Sequence, residues 1–160
     1  MEKEFLKEYF VELATAIAPS ERVLEQLKLA KEELVAVQKT QSKIIVIGNG
    51  GSAAMASHMS VDLTKNAGVR AINFNEADLL TCFSNDFGYE HAYAKAIEFY
   101  GDSGDVLIAI SSSGGSENIL NAVGQAQKSK FRSVITFSGM NSNNPLHQSG
   151  DINFWVNSRA

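Results

Sequence analysis

Apolar residues recur at helical spacing over the first forty positions, at Phe5, Leu6, Phe10, Leu13 and Ile17 and again from Val23 to Val37. Spacings of three and four residues place such side chains on one face of an α-helix. Pro19-Ser20 separates the two runs, and a serine before a helical run is a common N-cap. The pattern predicts two amphipathic helices, over 2–18 and from Ser20 to about Lys39, which pack on a core or on a partner chain.

Short apolar runs alternate with helical patterns from Lys43 onwards. The apolar runs predict buried strands at 44–47, 69–74, 106–110, 133–138 and 152–156. Helical patterns fall between them, at 52–66, 76–83, 90–100 and 118–128. Strands that alternate with helices form βαβ units and a parallel sheet. We therefore expect an α/β fold, a three-layer, doubly wound, flavodoxin-like domain with a five-stranded parallel sheet and two N-terminal helices.

The length of 160 residues fits a single domain, with N-terminal helices over 1–40 and an α/β core over 41–157. Hydrophobic residues make up 44% of the chain and charged residues 20%, which excludes a disordered or fibrous protein. The 14 basic and 18 acidic residues give a net charge of −4, so the composition offers no basic footprint for nucleic acid. No apolar run approaches the roughly 18 residues of a membrane span.

Cys82 is the only cysteine, so no disulfide can form within the chain, and this favours a reducing compartment. The N-terminal sequence MEKEFLKEYF is acidic and amphipathic, unlike a signal peptide. These features predict a cytoplasmic location. Because Cys82 lies in an apolar helical run, we also predict that its thiol belongs to the core.

The segment Gly48-Asn49-Gly50-Gly51-Ser52 joins a predicted strand directly to a predicted helix. Glycines permit a tight turn and close approach of a ligand, and a helix N-terminus favours a phosphate. The segment departs from the G-x-G-x-x-G dinucleotide pattern at Ala53 and lacks the lysine of a P-loop. Because Asn73-Phe74-Asn75 supplies no acidic residue at the end of the second strand, we expect no nucleotide cofactor. The residues alone leave open whether this loop binds a ligand or is a plain tight turn.

The segment Ser111-Ser112-Ser113-Gly114-Gly115-Ser116 also follows a buried strand and precedes a helix. Its hydroxyl and backbone N–H donors suit a phosphate dianion. The alternative is a polar loop in which Ser116 is an ordinary N-cap. Ligands of open α/β sheets bind at the carboxyl ends of the strands, so two such loops together favour an anion site.

The two loops, with Asn85-Asp86-Phe87-Gly88 between them, resemble the SIS (sugar isomerase) domain, and most closely the phosphoheptose isomerase family. The resemblance runs from about residue 5 to residue 157. It implies that the substrate is contacted by Asn49, Gly50 and Gly51, that the sugar phosphate is cradled by Ser52, Ser111, Ser112, Ser113 and Ser116, and that Asn85 and Asp86 make polar contacts to the sugar.

His58 and Asp62 are four residues apart on a predicted helix and therefore share a face. By spacing alone, such a pair is more often a surface contact than part of a metal site. The resemblance implies that His58 is a zinc ligand, and that Asp62 stands where the family usually carries a glutamate that is both metal ligand and general base. Aspartate is one methylene shorter, and a displacement of about 1 Å can cost on the order of a hundredfold in rate.

The family continues past the last strand into a helix whose glutamine and histidine complete the metal site and the acid/base pair. The present sequence ends at Ser158-Arg159-Ala160, either naturally or as a truncation. We therefore expect that zinc, the only cofactor that the resemblance implies, finds an incomplete ligand set here and that turnover is impaired.

The resemblance implies isomerisation of sedoheptulose 7-phosphate to D-glycero-D-manno-heptose 7-phosphate for lipopolysaccharide or capsule synthesis, with Asp62 as the catalytic base. The alternative is a non-catalytic SIS-fold binding or regulatory protein that keeps the phosphate cradle. The N-terminal helices carry more apolar positions than one inward stripe needs, which marks an interface. The expected partners are a sugar phosphate and further copies of the chain, in a homodimer or homotetramer with shared sites, with no nucleic acid and no membrane.

Overall fold

A computed structural model of the chain describes residues 2–158, so Arg159 and Ala160 lie outside the described residues. Its five strands are β1 (Ile44–Gly48), β2 (Ala71–Asn73), β3 (Val106–Ser111), β4 (Ser133–Ser138) and β5 (Ile152–Trp155). Its helices are α1 (Glu2–Ile17), α2 (Glu21–Gln38), α3 (Gly51–Lys65), α4 (Ala77–Phe87), α5 (Ala92–Tyr100) and α6 (Glu117–Lys128). Two short 3-10 helices lie at Tyr89–His91 and Leu146–Gln148.

The strands form one parallel sheet in the order β2-β1-β3-β4-β5. This is the doubly wound, flavodoxin-like order, and it confirms the predicted fold class. The strand order reverses between β1 and β3, because β2 is added on one side of β1 and β3 to β5 follow on the other; these two neighbours are paired in parallel, with Gly48 opposite Ile110. The carboxyl ends of these two strands are therefore the topological switch point of the sheet, where ligands of such folds bind.

Alternate residues of the central strands face opposite helix layers. Ile45 and Leu107 belong to the cluster that α4, α5 and α6 cover. Ile44 and Val106 belong to the cluster that α2 and α3 cover. All four side chains are fully buried, and burial of such a side chain stabilises a fold by about 1.5–3 kcal/mol. The two clusters hold β1 and β3 rigidly and so fix the positions of the loops that follow them.

The opposite edge of the sheet is held by an ionic cluster. The Nζ of Lys43 lies 2.6 Å from a carboxylate oxygen of Asp102 and 2.7 Å from one of Asp105, and the Asp105 side chain is fully buried. Asp105 also accepts hydrogen bonds from the backbone N–H groups of Lys43 and Asp102. With several donors on one carboxylate, the cluster satisfies the buried charges that it contains.

Helix α1 has no buried residue, and its apolar side chains face outward. Phe5 and Phe10 are 64% and 63% exposed. Helix α2 does contact the sheet, and Ser20 caps it by accepting a hydrogen bond from the Val23 N–H at 3.3 Å. No helix within residues 2–158 combines the length and apolarity that crossing a membrane requires.

The structure corrects three local predictions. Strand β2 covers only Ala71–Asn73 of the predicted 69–74. Helix α4 continues past its predicted end at residue 83 as far as Phe87, and Gly88, with a φ of 83°, ends it. Cys82 is exposed, so the prediction of a core thiol was wrong. Its apolar neighbours Leu79, Leu80 and Phe83 are partly buried against the core, and the cysteine lies beside them on the exposed side of α4.

Candidate functional site

The two loops that the sequence singled out lie side by side at the switch point. The first, Asn49–Gly50, connects β1 to α3, and the second, Ser112–Ser116, connects β3 to α6. Because β1 and β3 are paired in register up to Gly48 and Ile110, both loops leave the same edge of the sheet. The N-termini of α3 and α6 therefore open onto one crevice, where their positive dipole ends favour an anion.

Gly48 allows α3 to begin directly against the end of β1. A Cβ on Gly48 would lie 2.6–2.7 Å from the backbone and Cβ of Ser52, so no larger residue fits. The Ser52 N–H bonds the carbonyl of Asn49 at 2.9 Å, which closes the turn. Ser52 is half-buried in the first turn of α3, while Gly50 and Gly51 are exposed at its start. The predicted substrate-contacting backbone thus lies at the open end of the helix.

A buried tyrosine supports this turn from below. The Tyr93 hydroxyl donates to the carbonyl of Gly48 at 2.7 Å. Burial, and to a smaller degree the nearby Tyr89, raises the pKa of Tyr93 to about 12. The phenol therefore stays protonated and remains a donor throughout the physiological range. Sequence reasoning missed Tyr93, because it is 45 residues from Gly48 and looks like an ordinary core aromatic.

The four serines of the second loop separate into an inner pair and an outer pair. The hydroxyls of Ser111 and Ser116 lie 3.0 Å apart and bond to each other. Ser112 and Ser113 are exposed, and the Ser113 hydroxyl accepts a hydrogen bond from the Gly115 N–H at 3.2 Å. Ser116 is the N-cap of α6, but its side chain makes no cap bond. The alternative of an ordinary N-cap therefore holds for the position of Ser116 but not for its side chain, and the first turn of α6 is left without a side-chain cap.

Asn144 braces the second loop and is itself buried. Its Nδ2 donates to Asn141 O at 2.7 Å and to Ser138 Oγ at 3.1 Å, and its Oδ1 accepts from the His147 N–H at 2.8 Å. The brace packs against Gly114, whose φ of 64° and close contact with Asn144 leave no room for a Cβ. No sequence pattern between the predicted strands at 133–138 and 152–156 marks this brace.

Asn49 lies in a closed network with Asn118, in the first turn of α6. Each carboxamide donates from Nδ2 to the Oδ1 of the other at 2.9 Å. The Tyr89 hydroxyl also donates to Asn49 Oδ1, at 2.9 Å. The network ties the first loop to the helix that follows the second loop.

Asn85 and Asp86 occupy the last turn of α4 and are exposed. The Asn85 Nδ2 donates to Asp86 Oδ1 at 2.9 Å. Within residues 2–158, no hydrogen bond joins either side chain to the two loops. The structure therefore does not connect them to the phosphate loops, and their predicted contact to a sugar stays a prediction.

His58 and Asp62 lie on the outer face of α3. The Nε2 of His58 is 3.5 Å from the Oδ2 of Asp62, and their side chains are 81% and 52% exposed. Both line a shallow cavity of about 690 Å³ whose other walls are mainly apolar, with Met55, Met59 and Leu63. Asp62 is ten residues beyond Ser52, which is about 15 Å along a helix axis. One chain therefore does not bring Asp62 next to its own phosphate loops.

The donor set does not by itself fit a zinc ion. Zinc sites in proteins use three or four protein ligands. In the part of the chain that the structure describes, no group of three or more His, Cys, Asp or Glu side chains could hold a metal. His58 and Asp62 provide two ligands, so any zinc site needs ligands beyond these two.

Comparisons with known proteins agree with this geometry. Residues 8–139 match the family model of the SIS domain. The phosphoheptose isomerase of Helicobacter pylori (strain ATCC 700392 / 26695) is 36% identical over 136 residues, which cover 81% of this chain and 71% of that protein. The phosphoheptose isomerase of Histophilus somni (strain 2336) is 38% identical over 72% of this chain, which spans 63% of that relative.

Two solved structures have the same fold over nearly the whole chain. A phosphoheptose isomerase from Neisseria gonorrhoeae has a TM-score of 0.83 at 30% identity, covering 97% of this chain and 84% of that one. A phosphoheptose isomerase from Francisella tularensis has a TM-score of 0.84 at 25% identity, covering 100% and 88%. The chain therefore belongs to the SIS domain family and, within it, to the phosphoheptose isomerase family.

Proposed function

We propose that the crevice between the two loops binds the phosphate of a sugar phosphate. The observation that carries this proposal is the convergence of two helix N-termini and the exposed hydroxyls of Ser112 and Ser113 at one switch point. None of the loop residues is Lys or Arg, so hydroxyls, backbone N–H groups and helix dipoles would hold the anion. Such neutral donors bind a phosphate while leaving room for the attached sugar.

The proposed reaction is the isomerisation of sedoheptulose 7-phosphate to a heptose 7-phosphate, as the relatives' name and the shared fold suggest. A base removes a C1 proton from the ketose, an enediolate forms, and the carbon proton returns to C2 while a hydroxyl proton moves from O1 to O2. No oxidant or reductant is consumed. Asp62 is the base in this proposal, because a carboxylate within reach of the carbon is what proton abstraction requires.

The proposed enzyme is an oligomer whose site is shared between chains. Asp62 lies about 15 Å beyond Ser52 along α3. In this proposal the base of one chain and the phosphate loops of a second chain act on the same sugar. The apolar cavity around Met55 and Met59 and the outward apolar side chains of α1 supply surfaces that a second copy would cover. The oligomer is a dimer or a tetramer in this proposal.

Zinc and the cellular setting belong to the proposal as well. His58 and Asp62 would bind zinc only together with ligands from another chain or from outside residues 2–158. Metal analysis of purified protein, with His58→Ala as the variant, tests this point without any activity assay.

The product would serve lipopolysaccharide or capsule synthesis in the cytoplasm, which agrees with the single free cysteine.

Solvent-exchange kinetics test the proposed isomerisation. The full chain is incubated with sedoheptulose 7-phosphate in D₂O, with and without added zinc, and both the aldose product and deuterium bound to carbon are measured. Proton abstraction by Asp62 predicts that Asp62→Asn lowers both signals by about 10²–10⁴, the usual contribution of a general base. The matched control Asp78→Asn, an exposed carboxylate on α4, should leave both signals unchanged.

The outcomes separate the proposal from its alternative. Binding of the sugar phosphate with no product and no deuterium uptake would indicate a non-catalytic binding or regulatory protein. Turnover that survives Asp62→Asn would refute Asp62 as the base while keeping the isomerase. Absence of binding would refute the phosphate site itself.

A further inference from the structure

Asn49 and Asn118 form a closed amide pair across the switch point. Each Nδ2 donates to the partner's Oδ1 at 2.9 Å, so the two carboxamides close a ring of two reciprocal hydrogen bonds. The residues are 69 positions apart, with Asn49 in the first loop and Asn118 in the first turn of α6, directly after the second loop. The ring is therefore a direct link between the first loop and the start of α6.

The carbonyl oxygen of Asn49 has no capacity left for another ligand. A carboxamide oxygen has two lone pairs. Asn118 Nδ2 uses one and the Tyr89 hydroxyl uses the other, each at 2.9 Å. Only one N–H of the Asn49 amide points out of the ring. The Asn49 carboxamide oxygen is therefore already satisfied by hydrogen bonds within the protein.

Tyr89, the third member of the network, also connects the short 3-10 helix at residues 89–91 to Asn49. Tyr89 begins that turn, directly after α4 and Gly88. The turn is also fastened to α6, where the Asn121 Nδ2 donates to the carbonyl of Glu90 at 2.9 Å. Three segments of the chain, the β1 loop, the 89–91 turn and α6, therefore meet at Asn49.

We propose that Asn49 and Asn118 are positioning residues that fix the separation of the two phosphate-binding loops, and that Tyr89 locks the pair. This inference rests on the proposed sugar-phosphate site, and it gives the Asn49 side chain a role besides the predicted contact of Asn49 with the substrate. The physical reason is the rigidity of a two-bond ring. A single hydrogen bond still allows the two groups to rotate about it, whereas two reciprocal bonds between planar groups fix both distance and orientation.

Because Asn118 is buried, removal of the Asn49 amide should have a large effect on it. Asn118 is 3% exposed, so removing the Asn49 amide leaves a buried carbonyl and a buried N–H without their partner. A buried polar group without a partner is costly, so the Asn118 side chain would turn or admit water. Either response releases α6 from the β1 loop and alters the spacing of the phosphate donors.

A double-mutant cycle tests this positioning role. The affinity of the full chain for sedoheptulose 7-phosphate, and for inorganic phosphate as the minimal probe, is measured for Asn49→Ala, Asn118→Ala and the double variant. Each single change should weaken binding about tenfold. Because either change already breaks the ring, the double variant should bind within about twofold of the weaker single variant.

Two further measurements distinguish positioning from general damage. In turnover, each single variant should raise KM about tenfold with kcat changed less than about twofold, because Asp62 is untouched. Tyr89→Phe removes only the lock and should give a smaller loss of affinity than Asn49→Ala. The control Asn143→Ala, an exposed asparagine on another loop, should change nothing.

Amide NMR of the free protein gives a readout that needs no ligand. The side-chain NH₂ signals of Asn49 and Asn118 should show slowed hydrogen exchange, and Asn49→Ala should abolish the protection of Asn118. Additive losses of about a hundredfold in the double variant would overturn the inference, because they indicate independent substrate contacts. A wild-type chain that binds neither probe would overturn the proposed function together with this inference.

Discussion

The carboxamide of Asn144 occupies the space into which a side chain on Gly114 would point. Gly114 has a φ of 64°, a conformation that costs an ordinary residue roughly 1–2 kcal/mol. Asn144 is held in turn by Ser138, Asn141 and the backbone of His147. The shape of the serine loop is thus set by a glycine and an asparagine that do not belong to the predicted cradle.

Gly114→Ala should lower the free energy of unfolding by about 2–4 kcal/mol, because the strain of a positive φ adds to overpacking against Asn144. Urea denaturation of the variant measures this loss. Gly124→Ala provides the control, because a Cβ there meets open space in the middle of α6, where alanine is the better helix former.

The double variant Gly114→Ala/Asn144→Ala checks the cause. Removal of the Asn144 amide relieves the steric part of the strain, so the combined loss should be smaller than the sum of the two single losses. Additive losses would indicate that Gly114 and Asn144 act independently.

Tyr93→Phe should lower the free energy of unfolding by about 1–3 kcal/mol, because the buried carbonyl of Gly48 loses the hydrogen bond from the Tyr93 hydroxyl. Tyr9→Phe, on the exposed face of α1, serves as the control. Equal stabilities of the two variants by thermal or urea unfolding would show that the Tyr93 hydroxyl does not support the β1 turn.

Tyr93 also predicts a dependence of stability on alkaline pH. Burial raises its pKa to about 12, above the ordinary value of 10.0. Between these values the unfolded chain releases the phenolic proton while the folded chain keeps it, so stability should fall as pH rises through this window. In Tyr93→Phe this component of the fall should be absent, which urea midpoints at pH 9 and at pH 11 would compare.

Hydrophobic periodicity and loop composition were enough to predict the strands, the doubly wound fold and the two loops at the switch point. These features depend on neighbours in sequence, such as the run from Ile44 to Ile47. The bracing contacts join distant positions, as in Tyr93 to Gly48, and no local pattern marks the residues that make them. Asn144 could not be predicted for the same reason, because no local pattern between the predicted strands at 133–138 and 152–156 marks it.

The ionic cluster at the opposite edge of the sheet predicts a dependence on acidic pH. The hydrogen bond from Lys43 lowers the pKa of the Asp102 carboxyl below 3.8. Burial alone would lower the pKa of Lys43, but its bonds to Asp102 and Asp105 outweigh burial and the net shift is upward. The Asp102 contribution is therefore present above pH 3.8 and is lost as pH falls through the lowered pKa.

Asp102→Asn should accordingly be less stable than the wild type at pH 7, and the difference should shrink as the pH falls well below 3.8. Urea midpoints at both pH values measure this. Glu98→Gln, which removes only a surface contact to Lys95, should show little difference at either pH. A gap that is unchanged at low pH would contradict the assigned ion pair.

The outward apolar face of α1 predicts self-association. Phe5→Ser/Phe10→Ser should shift the mass measured by light scattering at micromolar concentration towards that of a single chain, because these side chains are more than half exposed in one copy. Glu8→Ser, on the same helix, is the matched control. A wild-type chain that is already monomeric under these conditions would refute the interface.

Titration calorimetry with sedoheptulose 7-phosphate tests the phosphate site most directly. The proteins to compare are the wild type, the double variant Ser112→Ala/Ser113→Ala, and the control Ser103→Ala at the opposite edge of the sheet. The wild type and Ser103→Ala should bind with equal affinity. The double variant should bind roughly a hundredfold or more weakly, because hydrogen bonds to a charged group contribute about 1.5–3 kcal/mol each and two are removed. Equal affinity of all three proteins, or no binding by the wild type, would contradict a phosphate cradle between the two loops.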